Sequence, residues 1–309
     1  MFPASFQCAL SETGMDEFSR ELGVRIRRFL TKPAREKLES VTFRLRALFP
    51  KRSATIRLPF GGKWALEESA LDAQLRSGAF ERAETHFVER ILRPGMTALD
   101  IGAHHGYYTL LASMLVGSQG RVIAFEPSPR ERIRLERHLR LNKCVNVSVE
   151  QKALGSKPGE ADLFMVEGAE DYCNSLRPPV VDARSRKIRV LVETLDQFLA
   201  SNHIGSIDFV KLDVEGAELD VLKGASGLLR GLPRPVFMIE VYDIRTQPWG
   251  YAARDIVRFL TERNFEWFSL EESGKPTPVD SASYSFDANL VAVPAERMHS
   301  FSESVKMGS

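Results

Sequence analysis

Short apolar runs alternate with amphipathic segments along most of the chain. The apolar runs have the length and the β-branched and aromatic content of buried strands, and they fall at 97–101, 121–126, 146–151, 207–213 and 235–242. Between and after them, apolar residues recur at helical spacing, at 106–117, 129–142, 194–202, 216–230 and 253–264. Because strands that alternate with helices build a parallel sheet covered on both faces, the pattern predicts a doubly wound α/β fold.

The remaining C-terminal segments complete the predicted sheet. Two apolar runs, 266–270 and 287–293, predict an antiparallel pair that brings the sheet to seven mostly parallel strands.

A long insertion, 157–189, interrupts the alternation. We expect it to form part of the pocket for a substrate, because loops of this length are more often functional than neutral. The last segment, 295–309, predicts a flexible tail.

The N-terminal third divides into two segments. Residues 1–54 show helical spacing on both sides of Pro33 and predict a basic helical extension. Residues 55–96 predict a lead-in, in which alternating residues around Gly61-Gly62 indicate a hairpin and 78–92 indicates a helix. The main domain is then expected over 97–294.

Positive charge is concentrated in the extension. Residues 20–52 contain eleven Lys or Arg against three Glu, whereas the whole chain has a net charge of +1. We interpret this stretch as a solvated basic face; the alternative is a surface for an anionic membrane or an acidic partner. The balanced overall charge argues against nucleic-acid binding.

Cysteine usage and hydropathy predict a cytoplasmic protein. The three cysteines are scattered and odd in number, which argues against a disulfide framework or a metal cluster. No apolar run approaches the ~20 residues of a membrane span, and the first residues lack the pattern of a secretory signal.

The stretch 97–109 contains the strongest functional signal. Its strand ends in an acid, Asp100, and the chain passes through Gly102 and Gly106 into a helix whose first N–H groups are free to bind a ligand. The next strand ends in Glu126, in the position from which a carboxylate accepts hydrogen bonds from ribose hydroxyls. The pattern predicts a site for an adenosine-type cofactor. The alternatives are that Asp100 caps the helix and that Glu126 is a surface acid.

The glycine spacing argues against a nicotinamide cofactor. Dinucleotide sites carry G-x-G-x-x-G, whereas this chain has D-x-G-x-x-x-G and no third glycine to cradle a pyrophosphate. An NAD(P)-dependent oxidoreductase on a similar sheet is therefore the second hypothesis. A cofactor-binding module without catalysis is the third.

The chain resembles the FkbM-type family of class I S-adenosylmethionine-dependent methyltransferases. The segments that carry the resemblance are LDIGAHHGYYTL, GRVIAFEPSP, KALGSKPG, VETLDQF and IDFVKLDVEGAELDVLKGA, in the family's order within 75–293. The resemblance implies a Rossmann-like domain that uses S-adenosylmethionine to methylate a hydroxyl of a small molecule or a sugar. It also implies the cofactor-binding residues, which are Asp100, Gly102, Ala103, His104, Gly106, Thr109, Glu126, Pro127 and Ala153.

Two positions need comment beside this resemblance. His104 is a departure, since the family commonly has an amide side chain there. We interpret it as a polar residue of the loop, and a catalytic base is the alternative. Glu81 belongs to a Gly-x-aromatic-Glu element, which in the family precedes the cofactor strand and lies over the site. We expect Glu81 to cap a helix start, and contact with the cofactor is the alternative.

The fourth strand and the helix after it carry the candidate catalytic residues. Lys211 lies inside a strand expected to be buried, and Glu240 on the neighbouring strand is its expected partner, in a structural or a catalytic pair. A hydroxyl acceptor must lose its proton, and Asp213 or Glu240 would serve as the base. The same two acids would be the ligands of Mg²⁺, which we do not favour. Glu215 is a further candidate, whereas Glu218 is interpreted as an acid favoured by the helix dipole.

Overall fold

The computed structural model describes residues 54–67, 69–167, 173–178, 183–280 and 286–307. Apart from Ala54, the predicted basic extension lies outside the described residues, and so does the hypothesis of a membrane or acidic partner at 20–52.

The lead-in before the main sheet consists of a hairpin and two helices. Its elements are β1 (Thr55–Arg57), β2 (Lys63–Ala65), α1 (Ala70–Ser77) and α2 (Arg82–Ile91). Strands β1 and β2 pair antiparallel, as the alternating pattern predicted. The helix predicted over 78–92 begins later, because Gly78 adopts a left-handed conformation with φ 68° and ends α1 with hydrogen bonds from its N–H.

The remaining strands and helices follow the predicted alternation. The strands are β3 (Thr97–Ile101), β4 (Arg121–Phe125), β5 (Val147–Glu150), β6 (Ala153–Leu154), β7 (Gly159–Val166), β8 (Ser185–Glu193), β9 (Phe209–Leu212), β10 (Val236–Tyr242), β11 (Phe265–Leu270), β12 (Pro276–Pro278) and β13 (Asp287–Pro294). The helices are α3 (Tyr107–Val116), α4 (Pro129–Asn142), α5 (Leu195–Ser201), α6 (Glu218–Lys223), α7 (Asp243–Thr246), α8 (Ala253–Thr261) and α9 (Met298–Met307). Short 3₁₀ helices lie at Gln247–Trp249 and Ala295–Arg297.

The large sheet has the doubly wound order that the alternation predicts. Its strands follow the order β12-β11-β13-β10-β9-β3-β4-β5. Strands β10, β9, β3, β4 and β5 are parallel, and β13 runs antiparallel to β10 and β11. The chain therefore builds outward from β3 in both directions, which creates a switch point at the carboxyl ends of β3 and β9. The edge strand β12 was not predicted; its prolines are tolerated because an edge strand need not donate every N–H.

The apolar side chains of the sheet alternate between two cores. Leu99 and Ile101 pack with α5, α6 and α8 on one face, whereas Ala98 packs with α1, α2, α3 and α9 on the other. This alternation is what a strand buried on both faces requires. Helix α6 ends at Lys223, earlier than the predicted 230. The next residue, Gly224, lies against the main chain at Gly155, where a Cβ would be 2.1 Å from the Gly155 oxygen, so this position requires glycine.

The insertion between the third and fourth predicted strands forms a small sheet of its own. Strand β8 pairs antiparallel with β7 and parallel with the short β6.

Within the described residues, no helix is long and apolar enough to cross a membrane.

The C-terminal segment is not the flexible tail that its polarity predicted. Residues 298–307 form α9, and Phe301 is only 5% exposed. Its ring lies 5.3 Å from that of Phe268 and 6.3 Å from that of Phe87, measured between centroids. Arg234 pairs with Glu296 at 2.5 Å just before the helix. Phe301, with Met298 and Val305 packed against the same core, thus anchors the segment.

Replacing Phe301 with alanine should lower the free energy of unfolding by about 3 kcal/mol, because it removes a buried ring from a packed core. Urea unfolding measures the change. The exposed Glu303→Ala on the same helix is the control and should change the free energy by less than about 0.5 kcal/mol. Equal, small effects of both substitutions would contradict the packing of α9.

Candidate functional site

A cavity of about 310 Å³ opens at the switch point of the large sheet. Its wall contains the C-terminal ends of β3, β4, β9 and β10. Helix α1, the start of α3 and the insertion complete it. Open α/β sheets bind ligands at this edge, and the volume falls in the range of about 300–1,000 Å³ that small-molecule sites have.

The loop after β3 approaches the neighbouring strand too closely for a side chain at Gly102. Gly102 has φ 87°, and a Cβ there would lie 1.7 Å from the carbonyl oxygen of Asp213. The N–H groups of Gly102 and Ala103 both donate to the Phe125 oxygen at 3.0 Å, which ties the loop to β4. Gly106, at φ 86°, begins α3 and packs against Leu135 without lining the cavity.

Asp100 is buried at the end of β3, where its carboxylate faces both the cavity and α3. Its Oδ2 accepts a hydrogen bond from the Thr109 hydroxyl at 2.5 Å. Burial raises the pKa of Asp100 to about 6, even though the Thr109 hydroxyl lowers it. The cap position of α3 is Gly106, but the backbone N–H of Thr109, in the first turn of α3, also donates to the Asp100 carboxylate and lowers its pKa. The alternative that Asp100 caps the start of the helix is therefore compatible with its place on the cavity wall. Thr109 itself lies beneath the cavity wall.

The carboxylate of Glu126 joins the loops that follow β3 and β4. Its Oε2 accepts from the backbone N–H of His104 at 2.7 Å, and its Oε1 accepts from that of Ser128 at 2.8 Å. Glu126 is 6% exposed, so it is not a surface acid. Burial, reinforced by the nearby Glu131, raises its pKa to about 8. Each oxygen keeps a further lone pair for a ligand hydroxyl.

Another part of the cavity wall contains both apolar and polar residues. Pro127 and Ala153 line it, as does Lys152, whose ammonium pairs with Glu193 at 2.7 Å. The insertion contributes Ser175, whose hydroxyl donates to the Glu215 carbonyl at 2.9 Å, and its neighbours Asn174 and Leu176. The insertion is therefore part of the cavity wall.

Lys211 pairs with Asp213 and not with Glu240. The Lys211 ammonium lies 2.6 Å from the Asp213 carboxylate, two residues further along the same face of β9. The expectation of a Glu240 partner is wrong because the parallel register sets Lys211 beside Met238 and Asp100. Burial alone would lower the pKa of Lys211, but the carboxylates of Asp213 and Glu81 outweigh burial and keep that pKa above its usual range.

Three carboxyl groups meet at the ends of β9 and β10. One oxygen each of Asp213, Glu215 and Glu240 lies within 4.8 Å of the others. Burial and the charge of Asp213 raise the pKa of Glu215 to about 8 and that of Glu240 well above its usual range. Glu215 pairs with the guanidinium of Arg245 at 3.0 Å. Lys211 and Arg245 lie against two of the three acids, and the raised pKa values of Glu215 and Glu240 favour their neutral forms, so the group offers less negative charge to a divalent cation than three free carboxylates would.

Two further residues, Arg245 and Glu218, were not identified as site residues from the sequence, and Glu81 was placed there only as the alternative to a helix cap. Glu81 was expected to cap a helix, but its carboxylate caps no N–H and accepts from the Tyr108 hydroxyl at 2.5 Å, inside the cavity wall. Arg245 carried no sequence signal. Glu218 was interpreted as a dipole effect, yet it is 1% exposed and its Oε1 accepts from the N–H of Val214 and of Gly216. It therefore holds the loop after β9.

Comparison with known proteins identifies a family for this arrangement. A family model described as a methyltransferase FkbM domain matches residues 100–267, more than half of the chain. Methyltransferase 1 of Beauveria bassiana is 28% identical over 146 residues, which cover 41% of this chain and 57% of that protein. The ribosomal RNA large subunit methyltransferase E of Alkalilimnicola ehrlichii is 40% identical over 65 residues, or 21% of this chain and 31% of that protein. The chain thus matches less than two thirds of either relative's length.

Two solved structures are also similar to this chain. A methyltransferase FkbM from Methylobacillus flagellatus is 16% identical, with a TM-score of 0.41, and covers 74% of this chain and 56% of that one. Fibrillarin of Aeropyrum pernix, in complex with S-adenosylmethionine, is 15% identical, with a TM-score of 0.38, and covers 78% of this chain and 82% of that one.

The buried acids of the site predict a stability that falls as the pH rises from 7 to 9. Glu126 and Glu215 have folded-state pKa values of about 8 against an ordinary 4.5, so the folded protein holds protons that the unfolded chain has already lost. Their stabilising protonation is complete at low pH and is lost through pH 8. The free energy of unfolding should fall by about 1–3 kcal/mol over this range.

Urea unfolding at pH 7, 8 and 9 measures this dependence. Glu215→Gln, which keeps the size of the side chain and removes its titration, should flatten the slope. A free energy that is constant or rises over this range would contradict the assignment of raised pKa values to these carboxyl groups.

Proposed function

The chain belongs to the FkbM methyltransferase family, and from this premise we propose that it transfers a methyl group from S-adenosylmethionine to a hydroxyl oxygen of a small molecule or a sugar. The observation that carries the proposal is one cavity with two chemically different ends. At one end lies the anchored carboxylate of Glu126, and at the other lie the acids that follow β9 and β10.

The cofactor end fits an adenosine ligand that carries no pyrophosphate. Glu126 has its carboxylate oriented by two backbone N–H groups and keeps acceptor positions for the ribose hydroxyls. The loop from Asp100 to Gly106 would hold the methionine part, with Gly102 bringing the main chain close and His104 on the wall. Such a ligand would supply the electrophilic methyl group. Nothing in the loop resembles the third glycine that the nicotinamide hypothesis requires.

The acceptor end supplies what transfer to a hydroxyl needs from the protein. The acceptor oxygen must lie in line with the methyl group, and its proton must be taken up. The ion pair of Lys211 and Asp213 offers a donor and an acceptor to orient a hydroxyl. Glu240, kept neutral by burial and by Asp213, offers a carboxylic O–H to a second acceptor oxygen. Together these groups offer hydrogen bonds to more than one hydroxyl, which suits a polyhydroxylated acceptor.

Isothermal titration should detect S-adenosylmethionine binding with a micromolar Kd and no binding of NAD⁺. Glu126→Ala and Asp100→Ala should each weaken binding at least about tenfold, because each removes a buried carboxyl group that forms hydrogen bonds at the cofactor end. Glu136→Ala, on the outer face of α4, is the matched control. Binding that is indifferent to both site substitutions would contradict the proposed cofactor site.

Methyl transfer should persist after divalent cations are removed. We expect protein dialysed against EDTA to move labelled methyl from S-adenosylmethionine to a panel of sugars and phenols at an unchanged rate, because Lys211 and Arg245 already lie against two of the three acids. Activity lost in EDTA and restored by Mg²⁺ would assign a metal to Asp213, Glu215 and Glu240. Cofactor binding without transfer to any member of the panel would favour a non-catalytic module.

A further inference from the structure

Glu81 has a backbone and a side chain that its position in the helix does not explain. It occupies the cap position of α2 in the left-handed region, with φ 34° and ψ 56°, where L residues are strained. An acid at this position usually caps the helix, but its side chain makes no capping hydrogen bond. Instead its carbonyl accepts from Thr85 and its carboxyl group forms part of the cavity wall. Such strain at a cavity is typical of functional residues.

The surroundings hold the Glu81 carboxylate without neutralising it. The Tyr108 hydroxyl donates to Oε2 at 2.5 Å, and the Lys211 ammonium lies across the Tyr108 ring, 5.2 Å from its centroid. Burial raises the pKa of Glu81 to about 7; Lys211 lowers it, Asp213 raises it, the Tyr108 hydrogen bond lowers it and Glu84 raises it. The group therefore exchanges its proton near neutral pH, which is where a general base works best.

The other acids of the cavity are already engaged or neutral. Asp213 is paired with Lys211 and Glu215 with Arg245, and burial together with Asp213 keeps Glu240 protonated. Asp100 and Glu126 belong to the proposed cofactor end. Outside the proposed cofactor end, Glu81 is thus the acid on the cavity wall whose assigned hydrogen-bond partner is a neutral hydroxyl.

We propose that Glu81 is the base of methyl transfer, with Tyr108 as its positioning residue; this rests on the proposed function. The acceptor oxygen forms its bond to the methyl carbon as the carbon–sulfur bond breaks, and that electron pair goes to sulfur. The acceptor proton moves to a carboxylate oxygen of Glu81, which becomes neutral. The Lys211–Asp213 pair then orients the acceptor and does not take its proton.

The first test counts the protons released when S-adenosylmethionine binds the full-length protein. A base must be ionised once the cationic ligand is bound, and a positive charge in the cavity favours that form. Titration calorimetry at pH 7 in buffers of different ionisation enthalpy should show that Glu81→Gln releases about half a proton less than the wild type. Glu81→Gln should bind S-adenosylmethionine about tenfold more weakly than the wild type at pH 7, because the release of that proton is linked to the affinity for the cationic ligand. Glu89→Gln, on α2 outside the cavity wall, should release as many protons as the wild type.

The second test measures methyl transfer to the panel of sugars and phenols. Glu81→Gln should lower kcat about 100-fold or more. Tyr108→Phe should move the acidic limb of the kcat profile to higher pH, because it removes a hydrogen bond that lowers the pKa of Glu81.

The outcomes separate the two proposals. Unchanged proton release in Glu81→Gln, or a kcat within about threefold of the wild type, would overturn the role of Glu81 while cofactor binding stands. Absence of S-adenosylmethionine binding in the wild type would overturn both. If no member of the panel is methylated, the proton count alone decides whether Glu81 is the titrating acid.

Discussion

A side chain at position 102 would collide with the main chain of the neighbouring strand, and the geometry of the site follows from this constraint. The β3 loop can turn where it does only because Gly102 has no Cβ; the nearest atom would be the Asp213 oxygen at 1.7 Å. The same residue, Asp213, donates its N–H to Ile101 at 3.0 Å. The end of β3 and the end of β9 are therefore locked together, and the loop and the acids form one cavity.

A second constraint acts on the other side of β3. The carboxylate of Glu126 accepts one N–H from each of two loops, at His104 and Ser128, so the loops keep their relative position before any ligand arrives. The burial that raises the pKa of Glu126 also makes this acid costly to ionise when the cavity is empty. A ligand that donates hydroxyl hydrogen bonds would reduce that cost, so preorganisation and affinity rest on the same group.

Local pattern predicts the framework of this protein but not its long-range contacts. The alternation of Ala98, Leu99 and Ile101 marks a strand buried on both faces, and the glycine loop and strand-end acids follow from the order of elements. The partner of Lys211 depends on the register between strands, which a single sequence does not contain. The burial of Phe301 and the hydrogen bond between Glu81 and Tyr108 depend on packing between distant segments.

The charge on the cavity wall limits what can bind there. The wall carries the acids Glu81, Asp100, Glu126, Asp213, Glu215 and Glu240 against the cations Lys152, Lys211 and Arg245. Burial and mutual repulsion keep several of these acids protonated, as their raised pKa values indicate. A dinucleotide would add negative charge to this wall, whereas a sulfonium ligand would add the positive charge that lets the acids ionise. Under the proposed function, the same buried acids would favour a cationic cofactor and, once it is bound, would include an ionised carboxylate that serves as the base.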